Sequence, residues 1–374
     1  MTDACFQWTN RVLDLLKQKM PLSVEKAGQL DFIPYTVQSD ASWAPGPMDG
    51  ICWWTNGFWP ALMWQMLTLT GDERYVREAR RTERMLDAAF DVFPLLHHDV
   101  GFMWRISTGF DHDLTGDETA RITTEKAATI LAGRFNPAGF IRAWNGDRVG
   151  WAIIDCMMNL SILYWASEHT GDPRFASVAQ RHADTVQDVF IRPDGSSEHI
   201  VIFDPLTCDV LERPGGQGYA PGSAWSRGQA WAIYGFAISA AHTGREDYLA
   251  TACRVADFFV RETDRSDGLV PCDFRQPQVP VLYDDCAAAV AACGLLELAE
   301  QLRDPKGDAY AAAAFRILST VEKAHADWSE DFPAILTHCT GAYHSKDHHI
   351  AMVYADYFFV EAVLRLAGKL HLRW

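Results

Sequence analysis

A short motif that recurs along the chain constrains its fold more than any other feature. In each copy a glycine follows an apolar helical pattern, and an acidic residue one or two positions later opens another pattern. Glycine readily adopts the left-handed conformation that ends a helix, and an acidic residue suits the positive end of the next helix. The motif therefore predicts helix–turn–helix units at residues 70–75, 115–118, 170–175 and 243–248, with a looser copy at 304–310.

The helices on the two sides of these turns differ in character. Those before the turn are mostly apolar, at 57–69, 151–169, 229–242 and 287–302, and those after it are amphipathic, at 74–90, 174–190, 248–261 and 309–325. An apolar helix is buried, whereas an amphipathic helix covers a core. Outer helices are predicted to begin near residues 4, 72, 117, 172, 245 and 305, and inner helices near 57, 98, 150, 226, 285 and 347. Six such pairs describe a single all-α domain over residues 1–374, an (α/α)6 barrel of six inner and six outer helices.

Two further features complete the predicted fold. The pattern near residue 98 is interrupted by Gly109 and His112, and β-branched residues near 196–212 predict a small β-hairpin. The connections from outer to inner helices are long and rich in Trp, His and Asp. In a barrel of this kind they emerge on one face, so we expect the functional site there.

Composition restricts the function classes. A net charge of -16 argues against nucleic acid and anionic membranes as partners, and it means that any anion site is built locally. The nine cysteines show no CxxC pair, and the N-terminal residues lack a signal-peptide pattern. We expect a cytoplasmic protein with no membrane partner, monomeric or a weak homo-oligomer.

Asp155 is the first candidate catalytic residue. It is a lone carboxyl group in the apolar run 151–160, predicted to be helical, and burial there would raise its pKa towards that of a general acid. Asn159 lies one helical turn further on and is expected to orient that acid. Trp144 and Trp151 precede it, which suggests a sugar-processing site. The alternative is a structural, hydrogen-bonded aspartate in the core.

Asp99 is the second candidate catalytic residue. Its position in the sequence alone is equally consistent with catalysis and with the capping of the next helix. Asp284 and Asp285 before an Ala-rich helix favour a cap and a structural network. Arg227 lies between Trp225 and Trp231 in the sequence, and its guanidinium can bind a substrate carboxylate through two parallel hydrogen bonds. The alternative is that Arg227 makes only a cation–π contact inside a helix.

A metal site is not expected from the histidines. His344, His348 and His349, together with His97 and His98, fit no zinc template. Phosphate-cradling loops of the GxxxxGK[ST] or GxGxxG type and the nucleophile elbow are not found in the sequence. We therefore expect no cofactor.

Several motifs together resemble the unsaturated glucuronyl hydrolases of glycoside hydrolase family 88, over nearly the whole chain from about Trp53 to Leu366. They are Trp54-Thr-Asn-Gly-Phe-Trp59, His97-His-Asp-Val-Gly-Phe102, Ile154-Asp155-Cys, Ser197-Glu-His199 and Ser223-Ala-Trp-Ser-Arg-Gly-Gln-Ala-Trp231. The resemblance implies an (α/α)6 barrel that removes a 4,5-unsaturated uronic acid from the non-reducing end of oligosaccharides left by polysaccharide lyases. It also implies that the reaction hydrates the vinyl ether C4=C5 bond.

The resemblance assigns roles to individual residues. Asp155 matches the general acid/base, and Asp99 matches the second essential aspartate. The matches to substrate-binding positions are Trp54, His98, Trp144, His199, Gln217, Trp225, Arg227, Trp231 and Tyr343. Ser345 and Lys346 lie where members that accept sulfated substrates place Ser and Lys.

The chain also departs from the family pattern. Many relatives have Asp at the position of Asn56. Family 105, the unsaturated rhamnogalacturonyl hydrolases, is the runner-up, with a different consensus around Arg227. A sugar-binding barrel without activity, or another enzyme on the same toroid, is a further alternative.

Overall fold

The computed structural model describes residues 2–46 and 50–374, which are mostly helical. In chain order, the α-helices of these residues are α1 (Asp3–Ala27), α2 (Phe58–Thr70), α3 (Glu73–Leu86), α4 (Thr108–Thr115), α5 (Glu118–Ala132), α6 (Cys156–Asn159), α7 (Ser161–Thr170), α8 (Pro173–Val189), α9 (Ser226–Thr243), α10 (Glu246–Asp264), α11 (Asp285–Leu302), α12 (Pro305–His325) and α13 (Val353–Leu366). Segments Gly50–Cys52, Trp54–Gly57 and Asp87–Leu95 are 3-10 helical, and Gly101–Arg105 is a π-helical turn. In this part of the chain, no helix has both the length and the apolar character needed to cross a membrane.

The recurring motif forms the predicted turns. Glycines in the left-handed conformation end α2, α4, α7 and α9, at Gly71, Gly116, Gly171 and Gly244. Aspartate side chains accept a hydrogen bond from the first turn of the next helix at Asp72, Asp117, Asp172 and Asp304. Because these caps set the helix boundaries, the outer helices α1, α3, α5, α8, α10 and α12 begin within one residue of the predicted positions.

The inner helices close a ring. Helix α13 packs against α2 and α11, and α9 packs against α11 and α7, while the π-helical turn fills the space between α4 and α7. Every residue of α9 from Ser226 to Ala240 is buried, whereas the outer helix α3 buries one face only. The structure thus confirms the (α/α)6 barrel.

The second and sixth inner helices differ from the prediction. The segment predicted to begin near 98 divides into the π-helical turn and the short α4, and the helix predicted near 347 begins at Val353. Gly101 explains the first difference in part, because a Cβ atom there would lie 2.7 Å from the Cα atom of Asn159. This close approach joins the segment of Asp99 to that of Asn159.

The prediction of a helix from residue 151 is wrong. Residues Trp151–Ile153 form strand β5, which follows two short hairpins, β1 (Thr36–Val37) with β2 (Trp43–Ala44), and β3 (Phe135–Asn136) with β4 (Phe140–Ile141). Strand β5 pairs antiparallel with β6 (Ile200–Phe203), which pairs with β7 (Val210–Glu212), so the predicted hairpin is confirmed and extended. A short apolar run fits a buried strand as well as a buried helix, and here the neighbouring hairpin supplies a pairing edge. Asp155 therefore lies between a strand and helix α6.

Candidate active site

A pocket of about 530 Å³ contains most of the predicted site. Its volume is in the range of small-molecule binding pockets. The predicted residues that line it are Trp54, His98, Asp99, Trp144, Asp155, Gln217 and Arg227. They come from four outer-to-inner connections, as the barrel predicted. The lining also includes residues that we did not predict as site residues, which are Trp53, Leu95, His97, Asn145, Arg148 and Ile153.

Asp155 lies at the strand–helix junction and is partly buried, with 14% of its side chain exposed. Burial, and secondarily the charge of Asp99, raises the pKa of Asp155 to about 8, against the opposing effects of Arg227 and the Trp231 indole. The Oδ2 atom has no hydrogen-bond partner among the described residues. Asp155 thus lines the pocket with the raised pKa that a general acid needs.

His199 fixes one side of this acid. Strand pairing places it there, because the backbone N–H of Ile154 donates to the carbonyl oxygen of His199 over 3.0 Å. Its Nδ1 atom accepts a hydrogen bond from the backbone N–H of Gln217 over 2.9 Å. The proton of the neutral ring is therefore on Nε2, 3.7 Å from Asp155 Oδ2. Burial lowers the pKa of His199 to about 3, so the ring stays neutral.

Asp99 has the opposite ionisation state. Its Oδ2 atom lies 2.9 Å from His97 Nδ1, and its Oδ1 atom lies 3.2 Å from His98 Nε2. Burial alone would raise the pKa of Asp99, but His98 and His97 together lower it below its usual value. Asp99 faces the pocket and makes no capping hydrogen bond to the turn that follows it.

Asn159 orients Asp99 and not Asp155, contrary to our prediction. Its Nδ2 atom donates to Asp99 Oδ1 over 3.4 Å, and its Oδ1 atom accepts from the backbone N–H of Phe102. Because Asp155 precedes α6, the one-turn spacing brings Asn159 to the backbone carbonyl of Asp155 instead of its carboxyl group. The pocket thus combines one protonated and one ionised carboxyl group, as acid–base catalysis needs.

Comparisons with known proteins agree with this geometry. The chain is 39% identical over 330 residues to an unsaturated glucuronyl hydrolase from Bacillus sp. (strain GL1), an alignment that covers 84% of this chain and 86% of the relative. It is 31% identical over 326 residues to an unsaturated chondroitin disaccharide hydrolase from Streptococcus pyogenes serotype M1, covering 83% and 80% of the two chains. The chain belongs to the unsaturated glucuronyl hydrolase family.

Solved structures of unsaturated glucuronyl hydrolases have the same fold. The crystal structure of the Bacillus sp. GL1 enzyme superposes with a TM-score of 0.88 at 33% identity, covering 94% of this chain and 96% of that one. A comparison with models of protein families finds no match. The relatives support a glycoside hydrolase over a sugar-binding barrel without activity.

Arg227 has a structural partner in the fold that the sequence did not predict. Its Nη1 atom lies 2.8 Å from Asp284 Oδ2 and also donates to the carbonyl of Thr340, and its Nη2 atom donates to the carbonyl of Gly341. The guanidinium also lies 4.8 Å from the ring centroid of Trp225, which is the cation–π contact that the sequence offered as the alternative to substrate binding. Asp284 and Asp285 form the predicted structural network, the latter through His325.

The remaining aromatic residues lie around the pocket and not in its lining. Trp225 packs against His199 with ring centroids 4.3 Å apart, and the ring of Trp231 lies 5.2 Å from that of Phe102. Tyr343 is joined to the site through its backbone N–H, which donates to the carbonyl of Gln217. These contacts indicate that Trp225 and Trp231 support the residues that line the pocket.

Ser345 and Lys346 lie outside the pocket lining. The Oγ atom of Ser345 is engaged with the backbone of Ala342 and with the N–H of Asp347, so it holds a turn of its own loop. Lys346 is exposed. Their role towards sulfated substrates stays a prediction.

Metal-ligating side chains meet at the site only in the His97–His98–Asp99 cluster, among the residues that the structure describes. His97 Nδ1 and His98 Nε2 lie 2.9 and 3.2 Å from the Asp99 carboxylate oxygens, and His98 Nδ1 lies 3.1 Å from the carbonyl of Ala143. A carbonyl oxygen only accepts hydrogen bonds, so His98 Nδ1 carries a proton. The expectation of no metal stays a prediction.

Proposed function

We propose that this chain removes a 4,5-unsaturated uronic acid from the non-reducing end of lyase-generated oligosaccharides, in particular glycosaminoglycan-type disaccharides. One observation carries the proposal: Asp155, with a raised pKa, and Asp99, with a lowered pKa, line one pocket together with Trp54 and Trp144. Two of the relatives described above are named for unsaturated glucuronyl or chondroitin disaccharide substrates.

The first step needs an acid and a nearby negative charge. Asp155 donates its proton to C4 of the C4=C5 bond, and positive charge develops on C5 and the ring oxygen. The carboxylate of Asp99 stabilises this charge in a site from which much water is excluded. His199, neutral with its Nε2 proton directed at Asp155, then stabilises the newly formed carboxylate of Asp155.

The second step adds water. The Asp155 carboxylate accepts a proton from a water molecule whose oxygen bonds to C5, which restores the acid and forms a hemiketal. The hemiketal opens and the aglycone leaves from C1. The net reaction consumes one water molecule for each linkage that is cleaved, and Asp155 returns to its protonated form.

The absorbance of the unsaturated uronate tests the proposal. With an unsaturated chondroitin or hyaluronan disaccharide, we expect the vinyl-carboxylate band to disappear as the enzyme acts. An unsaturated rhamnogalacturonan disaccharide is the matched control and should keep its band. Loss of the band with the control substrate alone would assign the chain to the family 105 activity, and a growing band on an intact polysaccharide would indicate a lyase.

A cytoplasmic location and a monomeric or weakly associating state are part of the proposal. They are supported only by the sequence, through nine scattered cysteines that include no CxxC motif and a high net charge of -16.

A further inference from the structure

We propose that Arg148 forms an anion-binding subsite at the mouth of this pocket, which binds a sulfate or carboxylate group on the leaving part of the oligosaccharide. The inference rests on the proposed function. Arg148 lines the same pocket as Asp155 but is exposed, whereas only 14% of the Asp155 side chain is exposed. The unsaturated ring reacts at the buried end, so a group at the mouth faces the leaving part of the oligosaccharide.

Two indole rings fix the position of the Arg148 guanidinium. It lies 5.5 Å from the ring centroid of Trp144 and 5.1 Å from that of Trp151. These two rings contact each other edge to face, with centroids 5.7 Å apart. Stacking on an aromatic face leaves the planar edge of a guanidinium available to an oxyanion.

The backbone around Arg148 is also held. Arg142 donates from Nη2 to the carbonyl of Gly146 over 2.7 Å and from Nε to the carbonyl of Arg148 over 3.3 Å. Asn145 donates to the carbonyl of Pro94 over 3.0 Å. The subsite is therefore positioned before a substrate arrives, which reduces the ordering that binding requires.

The positive charge of Arg148 is not neutralised by the protein. Among the described residues, no carboxylate forms an ion pair with Arg148, whereas the other arginine of the pocket lining, Arg227, is paired with Asp284. The net charge of -16 repels an anionic oligosaccharide at long range. An unpaired guanidinium at the mouth supplies the local attraction, and its fork matches carboxylate and sulfate oxygens.

The test compares substrates whose leaving parts differ in the anionic groups that they carry. Arg148→Gln and wild type are assayed on an unsulfated unsaturated disaccharide, on its sulfated counterparts, and on an unsulfated tetrasaccharide whose next uronate supplies a carboxylate. We expect Arg148→Gln to raise KM about tenfold for the anionic class that the subsite binds. We expect kcat, and both constants for the unsulfated disaccharide, to change less than twofold.

Selective loss with the sulfated disaccharides would identify sulfate as the ligand, and selective loss with the tetrasaccharide would identify the carboxylate. Equal changes with all substrates, or none, would overturn the proposal. Lys346→Gln is the matched control, and a selective loss in that variant alone would transfer the anion site to the loop at 343–349.

Failure of the proposed function is distinguishable from failure of the subsite. Turnover of the unsulfated disaccharide by wild type tests the proposed function. The ratio of the KM values of Arg148→Gln and wild type, compared between substrates, tests the subsite. Calorimetry can measure the affinity of the same oligosaccharides for Asp155→Asn and for the double variant that also carries Arg148→Gln, so that the subsite is tested without turnover. Equal affinities in the two backgrounds would overturn the subsite.

Discussion

We expect Asp155→Asn to lower turnover of an unsaturated disaccharide by about 10³-fold or more, the scale of a lost general acid, while the protein stays folded. Asparagine has the shape of the neutral acid but has no proton to give to C4. Initial rates from the loss of vinyl-carboxylate absorbance, with circular dichroism of both proteins, measure the two effects.

The same variant should be more stable than wild type at high pH. Burial raises the pKa of Asp155 to about 8 from an ordinary value of 3.8, so the folded state keeps a proton that the unfolded chain releases. Wild type therefore loses stability as the pH rises from about 4 to about 8. We expect Asp155→Asn to raise the free energy of unfolding by ~1–3 kcal/mol at pH 8 and by little at pH 4.

Asp356→Asn is the matched control for this prediction. Asp356 is also buried with a pKa raised by burial, to about 7, but its two oxygens accept hydrogen bonds from the backbone N–H groups of Ile335 and Leu336. An amide nitrogen opposite one of them would destabilise the fold by ~1–3 kcal/mol and leave the chemistry intact. Similar losses of activity in both variants would contradict a catalytic role for Asp155.

The largest expected loss of stability comes from the Arg227–Asp284 pair. Both side chains are almost fully buried, with 2% and 0% exposed. Asp284→Ala leaves a buried guanidinium without its carboxylate, which costs about 3–5 kcal/mol. We expect this loss in urea denaturation at pH 8, where Asp284 is ionised because its pKa is raised only to about 6, and where arginine keeps its proton.

Arg227→Met should behave differently. Burial raises the pKa of Asp284 to about 6 even beside Arg227, and without that cation the pKa rises further. A carboxyl group with a raised pKa takes up a proton on folding, so the variant is less destabilised at pH 5 than at pH 8. Asp247→Asn, in the half-exposed pair with Arg245, is the control and should change stability by under ~1 kcal/mol. Equal effects of Asp284→Ala and Asp247→Asn would contradict the account.

Much of the fold follows from local signals in the sequence. The glycine and aspartate of each turn act within a few residues, which is why the outer helices begin where the pattern places them. Strand β5 could not be predicted in this way, because Trp151–Ile153 becomes a strand only through pairing with Ile200–Phe203, nearly fifty residues later. The division of the second inner helix into a π-helical turn and α4 likewise reflects contacts of Gly101 with Asn159.

In the site, too, local sequence signals could be predicted and contacts between distant segments could not. The identity of Asp155 and its raised pKa follow from a lone carboxyl group in an apolar run, and His98 and Asp99 from their motif. The partners of these side chains could not be predicted from the sequence, because the Arg227–Asp284 and Asn159–Asp99 contacts join segments that are far apart in the chain. A signal for Arg148 was present, since this cation lies between Trp144 and Trp151 in the sequence, but only the structure shows that it lines the pocket without a carboxylate partner.

The central claim is that Asp155 delivers a proton to C4 of the unsaturated uronate. Nuclear magnetic resonance of the product formed in D2O, recorded before hydrogens next to the new ketone exchange, tests it directly. We predict one deuterium at C4 on a single face, because a fixed acid protonates one side of the ring. Equal labelling of both faces would indicate direct glycosidic cleavage followed by uncatalysed tautomerisation, and would contradict the account.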